Sequence, residues 1–279
     1  MRDDSVLLVE DRDGVRTLTL NRPHHKNAID AQLWRALQDV LRETAEDRSV
    51  RAVVITGAGG DFCSGADISN PDNGHPIYRM RALTEVALAL YELPMPSVAK
   101  VRGVAVGAGW NLALGCDFVV STPEARFSQI FVKRGLSPDL GGSWLLPRIV
   151  GLQQAKRLAL LGETITGEQA RQMNLVTWVR PEDQIDEYVD ELAARLVAGA
   201  SVAMAQTKAL LNEGADRTVR EALSSEARAQ GINFATADAV EAFAAFSEKR
   251  QPRFTGRWTV VRPPPRRPER PENEGREHA

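Results

Sequence analysis

Phe62-Cys63-Ser64-Gly65-Ala66-Asp67-Ile68 breaks an apolar run into small residues, and about forty positions on GVAVGAGWNLALGCD at 103–117 does the same. The runs before them, AVVIT at 52–56 and SVAKV at 97–101, are β-type in composition. After each break an apolar helical pattern resumes. Glycine lets a backbone turn sharply or lie against a ligand where a Cβ would clash. Two such turns facing each other would aim two backbone N–H groups at one point, the arrangement that stabilises a developing oxyanion.

The 279 residues are 43% hydrophobic with a formal net charge of -2, enough for a full-sized core in one large domain or two. That balance gives no argument for a nucleic-acid partner or an anionic membrane surface. No apolar run approaches the roughly 20 residues of a membrane span. Acids interrupt MRDDSVLLVEDRDG at 1–14, so neither a signal nor a transit peptide is expected. Cys63 and Cys116 make no disulfide framework and point to a reducing cytoplasm, both reading as small buried apolar residues. Histidines at 24, 25, 75 and 278 are too scattered to hold a metal.

Around the two turns the chain alternates strand and helix. Residues 6–9 and 15–20 read as a hairpin, and Asp30 as the N-cap of a helix to about Asp47 with Leu33, Leu37, Val40 and Leu41 on one stripe. A helix near 77–93 is stopped by Pro94 and Pro96, and a helix at 108–115 precedes a strand at 117–121. Such alternation argues for βαβ units in an α/β core. Beyond Thr122 the pattern predicts an extended stretch at 125–132, a turn at 137–142 and a helix at 143–161. A capping box at Thr166 and Gln169 and a strand at 175–179 follow. From 182 to 249 the pattern is helical almost throughout. The divisions are a core over 1–180, a helical region over 181–254 and a largely disordered tail over 255–279. Residues 262–279 carry five prolines and nine Arg or Glu with nothing aliphatic to bury.

Neither turn fits a dinucleotide fingerprint. Gly107-x-Gly109 has Leu112 where a third glycine belongs, and Gly57-x-Gly59 ends on Phe62. The chain resembles instead the crotonase family, the enoyl-CoA hydratase/isomerase superfamily. The resemblance rests on NRP at 21–23 with NAI at 27–29, FCSGADI at 62–68, GAGWNLALGCD at 107–117, PDLGGSWLLPRIVG at 138–151, TGEQA at 166–170 and FSEKR at 246–250. It implies an α/β fold, a crotonase-type spiral of ββα units with a helical C-terminal trimerisation region, assembled as a homotrimer or a dimer of trimers. It implies an acyl-CoA substrate, with coenzyme A part of the substrate and no further cofactor. The amides of Ala66 and Ala108 would form the oxyanion hole. Lys26, Ala28, Ala66 and Asp67 would line the CoA channel, with Gly65, Ile68, Gly107, Trp110, Asn111 and Phe131 also at the substrate. Trp110 and Trp144, which flank the turns, read as packing more readily than binding, though an aromatic acyl group would suit them. Phe234 and Lys249 would reach the CoA from the C-terminal helices of this or a neighbouring copy.

The departures bear on the reaction. A hydratase of this family uses two glutamates on water, and the matching positions here are Asn111 and Phe131. An amide neither takes nor gives a proton near neutral pH, and a phenyl ring displaces water. Asp139 remains, at a position where the family's dienoyl-CoA isomerases, phenylacetate-type isomerases and chlorobenzoyl-CoA dehalogenases carry aspartate. It would shuttle a proton or attack as a nucleophile, or else only cap the helix that follows. The expectation is isomerisation of an unsaturated acyl-CoA. The alternatives are a hydratase, a dehalogenase or hydrolase using Asp139, or a non-catalytic acyl-CoA binder.

Deleting 262–279 should leave the melting temperature and acyl-CoA affinity unchanged, because the segment has nothing to bury. A cut before Phe234 should damage assembly and affinity together, as gel filtration and calorimetry would report.

Overall fold

Local chemistry fixes most of the elements that carry the site. The computed structural model describes residues 5–69 and 75–259. Strands β1 (Leu7–Arg12) and β2 (Val15–Leu20) form an antiparallel hairpin turned by Asp13 and Gly14, both at positive φ. Helix α1 (Ala31–Glu46) starts where the Asp30 carboxylate accepts the Leu33 amide at 2.8 Å, and its Leu33, Leu37 and Leu41 are buried. Then come β3 (Ala52–Gly57), α2 (Pro76–Tyr91), β4 (Ser97–Val101), β5 (Val104–Val106), α3 (Ala108–Leu114), β6 (Phe118–Ser121) and β7 (Arg126–Ser128). Helix α4 (Gly142–Leu161), β8 (Thr164–Thr166), α5 (Gly167–Gln172) and β9 (Trp178–Val179) follow, then α6 (Ile185–Val197), α7 (Ser201–Gly214), α8 (Val219–Phe234) and α9 (Ala237–Glu248).

The larger sheet runs β1-β2-β3-β4-β6-β9, antiparallel at the hairpin and parallel from β2 onward. Side chains alternate across its central strands. Val53, Ile55, Ala99, Val101 and Val119 join the main core with α1, α2 and α3, while Val54, Val98 and Val120 meet Ile185, Val189 and Leu192 of α6. Both faces are thus covered, which is why AVVIT at 52–56 is apolar at nearly every position. Helix α6 therefore completes the core, although it lies in the region read from sequence as a separate helical part. The Asp186 carboxylate pins it by accepting from Lys100 at 2.6 Å and from Arg102 at 2.9 Å.

The second sheet, β5-β7-β8, is the layer that holds the site. It was only partly legible. Strands β5 and β8 are three residues each, and the extended stretch expected at 125–132 narrows to β7 before a 3-10 turn over Ile130–Arg134. The capping box at Thr166 and Gln169 forms as read. Helix α4 bends where Gly151 adopts φ 75, ψ 159, and Pro147 lies inside it.

Residues 255–259, assigned from sequence to the tail, are held against α9. Asp238, 3% exposed, accepts the amides of Thr255 at 2.6 Å and Gly256 at 2.9 Å, and Thr236 pairs with Trp258. The expectation of disorder for 260–279 falls outside the described residues. No described helix is long and apolar enough to cross a membrane.

Asp238→Ala should lower stability by about 2–3 kcal/mol, because it leaves two part-buried backbone donors without their charged acceptor. Chemical denaturation would measure this, and a loss under about 0.5 kcal/mol would show that the 255–256 strap contributes nothing.

Candidate active site

The two glycine turns are neighbouring backbone segments of the second layer. Cys63 pairs with Ala105: the Cys63 amide donates to the Val104 carbonyl and the Val106 amide to the Cys63 carbonyl, each at 2.9 Å. On the other side the Ile29 amide donates to the Gly65 carbonyl at 2.8 Å and the Asp67 amide to the Ile29 carbonyl at 2.9 Å. Ala66 sits between these bonds, and its own amide has no acceptor among the described residues. Ala108 opens α3, where helix geometry supplies no carbonyl for the first amides, and its N–H is likewise unpaired.

Glycine is required at the crossing. Gly65, at φ +101, lies so close to the second turn that a Cβ there would stand 2.9 Å from the Val106 carbonyl oxygen and 3.7 Å from the Ala108 nitrogen. A Cβ on Gly109 would be 2.4 Å from the Cys63 carbonyl oxygen. Gly107 adopts φ 56, ψ −124, closed to other residues, and donates its amide to Ser128 at 2.9 Å. Gly65, whose chain neighbour is Ala66, thereby lies directly against the Ala108 turn.

Asp139 is carried by the turn before α4. Its backbone carbonyl accepts from the Asn111 side-chain amide at 2.9 Å and from the Gly142 amide at 2.8 Å. Asn111 is 1% exposed, and its side-chain oxygen accepts from Gln129 Nε2 at 2.7 Å. Leu140, at φ 49, carries the strain of this tight turn. The Asp139 carboxyl is different: its Oδ1 is buried without a hydrogen-bond partner, and burial pushes its pKa up to about 6. It does not cap α4, whose N-cap is Gly141 with no side-chain cap bond. Phe131 is 6% exposed, and its ring is 3.6 Å from the position a Cβ on Gly107 would take.

An apolar cavity of about 240 Å³ opens beside this turn, lined by Asn111, Leu112, Leu140, Trp144 and residues of α2. Trp110 is not part of it. Named among the substrate residues but read as packing more readily than binding, it is fully buried against Phe127, ring centroids 5.5 Å apart, because the inward face of α3 is core. Trp144 is the tryptophan that reaches the cavity. Gln129 and the cavity residues of α2 escaped the sequence reading, since nothing in their spacing separates them from ordinary core.

The residues read as a CoA channel are mixed in role. Lys26 is exposed at φ 50, its Nζ 3.6 Å from Asp61. The carbonyl of Ala28 accepts from Arg22. The carboxylate of Asp67 is committed within the chain: it accepts from the Ser69 hydroxyl at 2.6 Å, the Ser69 amide at 3.0 Å and Arg22 at 2.8 Å. These bonds, the Ser69 hydroxyl foremost, draw its pKa down to about 2, so it braces the loop. Ile68 is exposed beside it. Phe234, at the end of α8, and Lys249, which closes α9 in the left-handed conformation, are exposed. No hydrogen bond or ion pair among the described residues joins either to the turns.

Comparison with known proteins gives one consistent result. The family model for enoyl-CoA hydratase/isomerase matches residues 10–257. The chain is 35% identical over 253 residues to a 1,2-epoxyphenylacetyl-CoA isomerase of Escherichia coli (strain K12), covering 88% of this chain and 96% of that one. It is 34% identical over 253 residues to a crotonyl-CoA hydratase of Syntrophomonas wolfei subsp. wolfei, covering 89% and 97%. A crystal structure of an enoyl-CoA hydratase of Mycobacterium smegmatis superposes with a TM-score of 0.84 at 33% identity, over 89% of this chain and 98% of that chain.

The raised Asp139 carboxyl makes a signed prediction about stability. Its folded pKa, about 6, lies above the ordinary carboxylate value. Above that pH the native state therefore carries the cost of an ionised buried group, and below about pH 4 it carries none. Asp139→Asn should melt higher than the parent at pH 8 and lose that advantage at pH 4. A variant that melts lower at pH 8 would reveal a stabilising partner for the carboxylate.

Proposed function

The chain belongs to the enoyl-CoA hydratase/isomerase family, and from that premise we propose that it moves a double bond along an unsaturated acyl-CoA through a thioester enolate. The observation that carries this reading is the carboxyl of Asp139, one oxygen of it buried without a partner, on a turn that borders an apolar cavity, with Asn111 and Phe131 leaving no second acid. The thioester oxygen would accept from the amides of Ala66 and Ala108, each on the order of 3 kcal/mol in a dry site. Ionised Asp139 would take a proton from one carbon of the acyl chain as the enolate forms. It would return that proton at another carbon as the enolate collapses, so no atom is gained or lost. A carboxyl raised to about 6 suits both directions near neutral pH.

The isomerase name of one relative and the hydratase name of another are both compatible with the shared enolate. What favours isomerisation here is the missing pair of acids around a water. Assembly as a homotrimer belongs to the same proposal, supported by the exposed apolar row Val219, Leu223, Phe234, Val240, Phe243 and Phe246 on α8 and α9.

A panel of saturated, enoyl-, dienoyl- and aryl-CoA esters followed by mass and ultraviolet spectra tests the reaction. Isomerisation should shift conjugation at constant mass. Crotonyl-CoA hydration should be slower by several orders of magnitude than in a two-glutamate enzyme, at about 10²–10⁴ for each lost acid/base contribution. Hydration at a dedicated hydratase's rate would overturn the proposal. On the substrate so found, Asp139→Asn should lower kcat by roughly 10²–10⁴ with little change in CoA affinity. An Asn variant keeping half the parent rate would remove Asp139 from the mechanism.

A further inference from the structure

Two cavities meet at Tyr91. The first is the apolar space of about 240 Å³ beside the Asp139 turn, running between α2, α3 and α4. The second, of about 530 Å³, lies between the end of α3, the start of β6 and α7, against Phe118, Met204 and Lys208. Tyr91, Gly115 and Leu145 border both. Tyr91 is braced where they meet. Its ring stands edge-on to Trp144 at 5.5 Å, its hydroxyl donates to the Asn212 carbonyl, and the Asn212 side-chain amide donates to the Tyr91 carbonyl, each at 3.3 Å.

We infer that Tyr91 is the end stop of the acyl pocket, limiting the enzyme to medium-length acyl groups and closing off a second apolar compartment that a longer chain would need. This rests on the acyl-CoA reading above. The pocket suits hydrocarbon because, Asn111 and the Tyr91 hydroxyl apart, every side chain lining it is apolar or an indole ring, and the Asn111 amide is already engaged on both sides. Its size sets the limit. An apolar cavity of about 150 Å³ holds a benzene ring, so on the same scale the pocket takes roughly nine or ten carbons. The hydroxyl of Tyr91, tied to α7, lies between that space and the second, where Lys208 and Asp117 pair at 2.8 Å. Each methylene buried short of the stop should tighten binding about fourfold.

The test is calorimetric binding of saturated acyl-CoA esters from four to sixteen carbons, which needs no turnover. The parent should bind progressively tighter to about ten carbons and then lose at least tenfold by fourteen to sixteen. Tyr91→Ala, opening one cavity to the other, should move that limit to the longest esters. A parent that binds the sixteen-carbon ester as tightly as the ten-carbon one overturns the inference, with no variant required. So does a folded Tyr91→Ala protein with the parent's limit. Failure of every ester to bind would instead refute the acyl-CoA reading on which the inference rests.

Discussion

Everything in the site depends on one close approach, the second glycine turn lying directly on the first. With the Cys63 carbonyl oxygen 2.4 Å from where a Cβ on Gly109 would be, no side chain fits between the segments. The backbone bonds between Cys63 and its neighbours Val104 and Val106 hold that contact in register. An oxyanion hole made from two peptide amides requires this, because amides have no rotamers with which to search for a ligand. Their positions are only as good as the packing of the strands behind them. The main sheet, covered on one face by the core helices and on the other by α6, supplies that rigid backing.

One acidic residue is held in the opposite way to these rigid turns. Asp139 is fixed by its backbone carbonyl, which receives two donors, while its carboxyl is buried with an oxygen that receives none. The shift from an ordinary aspartate to about 6 corresponds to a cost on the order of 3 kcal/mol for ionisation. The α/β core carries that cost, and the strained Leu140 beside it, through a cluster of buried side chains far larger than the site. A carboxyl relieved by a cap or an arginine would be more comfortable and a poorer proton carrier.

The sequence showed what is local. Asp30 and Thr166 were readable as caps because their partners lie three residues on, and Gly65, Gly107 and Gly109 because a turn needs them. What it hid depends on partners far along the chain. Strand β5 exists because Val104 pairs with Arg126, and β8 because Thr164 pairs with Ser128; neither three-residue segment has a pattern of its own. Trp110 packs, the reading its place beside the turn favoured over binding: the helix rotates its ring into the core against Phe127. Asp67 braces its loop both through Ser69, two residues on, and through Arg22, forty-five residues away.

The same long-range bonding ties one departure from a two-glutamate site, Asn111, to the acid that remains. The Asn111 side chain both donates to the Asp139 carbonyl and accepts from Gln129. A glutamate at 111 could accept but not donate while ionised, so the Asp139 turn would lose one of its two anchors. It would also bring a second carboxylate near the first, raising the pKa of one of the pair still further. Gly142 adds a steric condition, since a Cβ there would stand 2.3 Å from the Asn111 amide nitrogen, so this amide requires a glycine at 142. Asn111, Gly142 and Asp139 therefore form one packed arrangement, in which the amide at 111 helps to anchor the turn that carries the acid at 139.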